Sequence, residues 1–138
     1  MAELEGMLVI SSPEQLYHLE RMRVVVIDGD RGPLTLEQEQ ALCAFVERGG
    51  GLVCLGDAVE AYHECELLGE ALGRVHGMCA PRSEIIARIA ADDHYMTRRV
   101  DPSFPVLEAV YLLKTVPGDA QILWQTSWRY TTYTLAYT

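Results

Sequence analysis

Phe45-Val46-Glu47-Arg48-Gly49-Gly50-Gly51-Leu52-Val53-Cys54-Leu55-Gly56-Asp57 carries the sharpest punctuation in this chain. A helical apolar spacing runs into a triple glycine, and an apolar run follows that stops at Gly56-Asp57. Glycines tolerate the positive φ that ends a helix, so Leu52–Leu55 reads as the strand after it. Upstream, Thr35 opens a capping box with Gln38. Glu37 and Glu39 fall in the first turn, where the helix dipole favours them. Gln38, Ala41, Leu42, Phe45 and Val46 keep helical spacing. Before this helix, Val24-Val25-Val26-Ile27 is continuously apolar and β-branched and ends at Asp28-Gly29-Asp30. Continuous rather than alternating hydrophobicity predicts a strand covered on both faces, as in a parallel sheet. Strand, helix and strand in this order make a βαβ unit.

Working outward, Met7-Leu8-Val9-Ile10 reads as another strand feeding a helix. Ser12 can cap that helix, Pro13 suits its first position and Gln15 completes the box. Leu16, Leu19 and Met22 would form its inner stripe. A further helix is expected near residues 60–71. Strands are expected at Glu84–Ala90, Val110–Leu113 and Ile122–Thr126, joined by polar loops. Trp128–Tyr133 is aromatic and threonine-rich, which favours extended structure. Thr134–Thr138 still reads as a strand, which suggests a segment of a longer protein. The fold expected is α/β and flavodoxin-like: three layers, a mostly parallel sheet, helices on both faces, residues 1–138 forming one domain.

The 138 residues carry a formal net charge of −9, and the 11 Lys and Arg are scattered. A nucleic-acid partner is therefore not expected, since phosphate neutralisation supplies most of such affinity. No apolar run approaches the roughly 20 residues that span a bilayer, and the N-terminus lacks a secretory pattern. Neither a membrane partner nor export is expected, and the cytoplasm is the expected setting. Cys43, Cys54, Cys65 and Cys79 form no C-x-x-C pair and no zinc-type spacing. They read as small hydrophobes, and neither a metal nor a cofactor is expected.

Three stretches resemble the ThuA-like (trehalose utilisation) family of the class I glutamine amidotransferase-like superfamily. The first runs from Leu34-Thr35-Leu36-Glu37-Gln38 through the triple glycine to Val53. The second is Leu67-Leu68-Gly69 with Gly73-Arg74-Val75-His76, similar to the family's leucine-leucine-glycine segment and nearby histidine. The third is Asp93-His94-Tyr95-Met96-Thr97 followed by Glu108-Ala109-Val110-Tyr111. It is similar to the family's histidine-proline-isoleucine-threonine stretch and later glutamate-tyrosine strand. Gly56 stands where the family carries a histidine, and Tyr95 where it carries a proline. Family members extend further at both ends.

Amidotransferases of this kind place a cysteine at a tight strand-to-helix turn, beside an oxyanion-holding backbone and an activating histidine. The matching turn here is Gly56-Asp57-Ala58, and Cys54 comes two residues too early, inside an apolar strand. The resemblance therefore implies a non-catalytic domain with a binding or assembly role, linked to carbohydrate utilisation. A small carbohydrate and a second copy of the chain are the partners it implies. The alternative is an enzyme acting on a sugar or sugar derivative through His94, Asp57 and His76. Asp57 and His94 are the catalytic candidates, Asp57 because ligands of open α/β sheets bind outside the carboxyl ends of strands. His76, Asp93, His94 and Glu108 are the candidate ligand-binding residues, since imidazole and carboxylate together suit a polar ligand. Asp57 can equally cap the next helix, and Glu108 can be an outward strand residue. Adjacent His63 and Glu64 point about 100° apart on a helix and form no tight pair. Trp124, Trp128, Tyr130 and Tyr133 could stack on a sugar ring or pack a core.

Overall fold

Parallel pairing holds the first part of the chain together, as its continuous apolar runs require. A computed structural model describes residues 6–138, which divide into two units between Arg74 and Val75. The first unit contains β1 (Met7–Ile10), a 3₁₀ helix (Pro13–Tyr17), β2 (Val24–Asp28) and α1 (Leu36–Glu47). It continues with β3 (Gly51–Leu55), α2 (Ala58–Ala61) and α3 (Glu66–Leu72). Its sheet is parallel with order β1-β2-β3, and Val9, Val26 and Val53 stand abreast.

Local signals set the helix starts. Thr35 Oγ1 accepts from the Gln38 N–H at 3.3 Å, and Gln38 Oε1 accepts from the Thr35 N–H at 2.9 Å. The Gln15 side chain accepts from the N–H groups of Ser11 and Ser12, yet the helix there is only a 3₁₀ turn. Ile10, Val25 and Ile27 of the sheet share one buried cluster with Leu16, Leu42, Phe45 and Leu68 of the helices and with Tyr62, just after α2. Burying each large apolar side chain contributes about 1.5–3 kcal/mol. All helices with residues in this cluster therefore lie on one face of the sheet. On the other face Met7, Val9, Val53 and Leu55 remain 38–52% exposed.

The helix expected at 60–71 is two pieces, α2 and α3, separated by a turn at 62–65. The cause is a carboxylate on another helix. Buried Glu39 accepts from the N–H groups of Leu67 at 3.0 Å and Leu68 at 3.3 Å. That fixes a fresh helix start, because the first N–H groups of a helix have no partner of their own. Gly69 then lies against the preceding turn, where an added Cβ would be 2.3 Å from the His63 carbonyl oxygen.

The second unit contains β4 (His76–Ala80), β5 (Ile85–Ile89), β6 (Ser103–Val106), β7 (Val110–Thr115), β8 (Ile122–Trp128) and β9 (Thr131–Tyr137). All neighbours pair antiparallel, in the order β4-β7-β9-β8-β5-β6. That alternation gives β4 and β5 the same direction, though only residues 81–84 join them. The same holds for β6 and β7, joined by residues 107–109. Such short links cannot make a parallel crossover, which needs a dozen or more residues. Each pair is thus one strand path with a bend, and the two paths form a long hairpin: β4 beside β7, β5 beside β6. Arg82 ties the bends together. Its Nε–H donates to the Leu107 carbonyl at 3.0 Å, and its guanidinium is 3.7 Å from Glu108. The β8–β9 hairpin pairs with β5 through β8 and with β7 through β9. Ala80, Ile85 and Leu112 are the buried centre of a cluster flanked by Trp128, Tyr133 and Leu135.

This corrects the fold expected from the sequence. A flavodoxin-like, three-layer, mostly parallel sandwich is not formed. The parallel sheet has three strands, the other sheet is antiparallel with six, and the second unit has no helix among the described residues. The physical reason lies in the later connections: most are six residues or shorter, and the long one, residues 90–102, carries no helix. Without helical crossovers, successive strands can only bend onward or turn back.

Candidate functional site

Cys54 lies in β3, close to the rim of the parallel sheet. Its side chain packs against the first unit's core, and burial pushes the thiol up to about 11. A nucleophilic cysteine needs a thiolate near neutral pH, in an electropositive and accessible place. Burial also pushes up the thiols of Cys43 and Cys65, with the Glu39 carboxylate adding to both.

The turn after β3 presents Gly56, at φ +61°, and then Asp57. Asp57 is exposed and holds the start of α2 through its carbonyl, which accepts from the N–H groups of Glu60 and Ala61. Its carboxylate makes no capping bond. Instead it lies close to Gly29, where an added Cβ would be 3.2 Å from Asp57 Oδ1. Gly29 has φ +74°, and its N–H donates to the Leu55 carbonyl at 3.0 Å, which draws the ends of β2 and β3 together. The Arg31 N–H donates to the buried Tyr62 hydroxyl at 3.0 Å, and the Arg31 guanidinium is 3.9 Å from Asp28. This rim is an acidic edge at Asp28, Asp30 and Asp57.

The candidate ligand-binding residues of the second unit stand in three places. His76 opens β4, and its N–H donates to Thr115 Oγ1 at 3.3 Å. Glu108 belongs to the bend and faces Arg82. Both partners are largely exposed, so this ion pair stabilises little. Asp93 and His94 lie in the connection that follows β5, beyond the other end of the β4–β5 path from His76. Only Asp93 and His94 are neighbours. The His94 ring is tilted against Tyr95, with centroids 4.5 Å apart, and Tyr95 is 71% exposed. Among the described residues, no group of three or more His, Cys, Asp or Glu side chains could hold a metal ion.

The aromatic residues divide between packing and exposure. Trp124 meets Phe104 edge-on at 5.0 Å, and Trp128 meets Tyr133 edge-on at 6.3 Å. Tyr130 is fully exposed at the tip of the β8–β9 hairpin. Beside it, the Arg129 guanidinium lies 4.4 Å from the Trp128 ring centre. Arg129 and Tyr130 both have positive φ, +46° and +66°, which is uncommon for bulky residues. Sequence reasoning missed two polar residues. Glu39 read as a dipole-favoured first-turn acid, although its spacing from Leu42 hinted at the buried face. Thr97 is buried and bonds to the Ala91 carbonyl, and only its place in the family-like stretch marked it.

No helix among the described residues is long and apolar enough to cross a membrane. No family model matches the sequence, and no curated protein does. Similar solved structures include a ThuA-like protein from Bacteroides uniformis, with a TM-score of 0.69 and 17% identity over 93% of this chain. A cytoplasmic protein from Salmonella typhimurium is also similar, with a TM-score of 0.57 and 18% identity over 85% of this chain. At such identities the likeness is one of fold. The chain covers 58% and 55% of those two proteins.

Proposed function

We propose that this chain is a non-catalytic ThuA-like domain that binds a small carbohydrate and assembles with further copies of itself in the cytoplasm. The observation that carries the proposal is Cys54. The turn after β3 offers Gly56 and Asp57, while the nearby thiol is packed inward and held protonated. The likeness of fold to the Bacteroides protein supports the family half of the reading. The sugar half rests on the family resemblance and on the exposed Tyr95 ring beside His94, since an aromatic face suits the apolar face of a sugar ring. Assembly is supported by the apolar sheet face that Met7, Val9, Val53 and Leu55 leave open. Parallel sheets are seldom uncovered on one side, and exposed apolar patches mark contact surfaces.

An enzyme drawing on Asp57, His76 and His94 together is the weaker reading, because His76 and His94 flank opposite ends of the β4–β5 path. Incubation with glutamine tests the non-catalytic assignment: ammonia release above the blank overturns it. Sedimentation at rising concentration tests assembly, and a monomer throughout removes that part.

A further inference from the structure

Backbone bonding in the β5–β6 connection sets the protonation pattern of His94. The Met96 N–H donates to His94 Nδ1 at 3.3 Å. A ring nitrogen that accepts a hydrogen bond carries no proton, so the neutral imidazole holds its proton on Nε2. Among the described residues Nε2 has no hydrogen-bond partner. The turn that aims the Met96 amide is itself anchored. The His94 carbonyl accepts from the N–H groups of Thr97 and Arg98, both at 3.0 Å. The Thr97 hydroxyl bonds to the Ala91 carbonyl and lies 3.1 Å from the His94 carbonyl. Thr97 is buried, while Asp92, Asp93, Tyr95, Met96, Arg98 and Arg99 around it are exposed. One buried hydroxyl thus ties an exposed polar turn to the end of β5.

We propose that His94 acts as a hydrogen-bond donor through Nε2, toward an oxygen of a sugar that rests on the Tyr95 ring. Thr97 is the positioning residue that keeps the Met96 amide on Nδ1. The inference deepens the binding reading above and rests on it. It also separates His94 from two other uses of imidazole. A general base or a metal ligand acting at Nε2 needs that nitrogen unprotonated, and the Met96 amide opposes this.

The test uses the whole chain labelled with nitrogen-15 and trehalose as the probe. Long-range proton–nitrogen spectra above the imidazole titration range should show His94 with its proton on Nε2. The Met96 amide should exchange slowly with solvent and shift when His94 is protonated. Thr97→Val should speed that exchange and weaken trehalose binding by about tenfold, the effect of losing one well-placed hydrogen bond. Thr97→Ser should restore both. A neutral His94 protonated on Nδ1, or a Met96 amide blind to His94 protonation, overturns this inference and leaves the binding reading standing. Failure of trehalose to perturb the Tyr95 ring in the unmodified chain overturns the sugar assignment itself. If Thr97→Val does not fold, the spectra of the unmodified chain still decide the tautomer.

Discussion

The β8–β9 hairpin turns through two bulky residues in left-handed backbone, and this strain can be measured. Arg129 has φ +46° and Tyr130 φ +66°. An L-residue there costs roughly 1–2 kcal/mol, because Cβ crowds the following carbonyl oxygen. Glycine escapes that cost but adds roughly 0.5–1 kcal/mol of conformational freedom to the unfolded chain. Tyr130 is fully exposed, so removing its ring gives up no burial. Tyr130→Gly should therefore stabilise the protein by about 0.5–1 kcal/mol. Tyr130→Ala keeps Cβ and hence the strain, so it should be close to neutral. The gap between the two variants isolates the backbone contribution. Arg129 is the poorer target, since its guanidinium over Trp128 contributes about 0.5–1 kcal/mol at an exposed site. Urea unfolding measures the effect as a rise in midpoint at constant slope. A Tyr130→Gly protein less stable than Tyr130→Ala would refute the reasoning, for it would mean that the tip does not occupy left-handed backbone.

Gly69→Ala inverts a familiar rule. In a helix the change normally gains about 1 kcal/mol, but here the new Cβ would be 2.3 Å from the His63 carbonyl oxygen. A loss of about 1–3 kcal/mol is expected in urea unfolding, and a gain would refute the close approach. Glu39→Ala removes the acceptor for the Leu67 and Leu68 N–H groups. It should cost about 1–3 kcal/mol, with Glu39→Gln milder because an oxygen acceptor remains. Equal losses would contradict the capping role. Burial holds the Cys54 thiol at about 11, against 9.0 for a freely solvated thiol. The folded chain keeps a proton that the unfolded chain gives up, so this contribution is full below the lower value and is lost as pH rises through the upper one. It amounts to roughly 3 kcal/mol. Stability measured across that window should fall less steeply in Cys54→Val than in the unmodified chain, and parallel curves would show that Cys54 is not buried.

Local chemistry made the first unit legible. The Thr35–Gln38 box, the triple glycine and the apolar runs each report on neighbouring residues, and each matches an observed boundary within a residue or two. The second unit depends on long-range pairing, which such signals do not encode. β4 contains Gly77, and β6 contains Pro105 on an edge strand, so neither reads as a strand. Arg129-Tyr130 lacks the Asn-Gly or Asp-Gly signature of a two-residue hairpin turn. In the sequence the reversal between β8 and β9 therefore reads as continuous extended chain. The site divides in the same way. His94 and Asp57 were visible as residue types, but the Met96 amide on Nδ1 and the Gly29 approach to Asp57 are facts of backbone geometry. Glu39 misled because its partners lie 28 and 29 residues away.

The continuous hydrophobicity of β2 finally explains more than the error it caused. An alternating strand would have declared one wet face, yet Val24 and Val26 are as apolar as Val25 and Ile27. Val25 and Ile27 face the helices and are buried. Val24 and Val26 share the opposite face with Met7, Val9, Val53 and Leu55, and β2 ends on that side at Asp28, abreast of Leu55. Selection for solubility alone would place polar side chains there, since a solvated sheet face costs nothing when it is hydrophilic. A face that is apolar on all three strands apart from Asp28, and still substantially exposed at its edges, fits the assembly proposed above. The sequence pattern that wrongly implied helices on both sides is thus the same pattern that supports assembly. Continuous hydrophobicity suits a strand covered on both faces, and says nothing about whether this chain's own helices supply the cover.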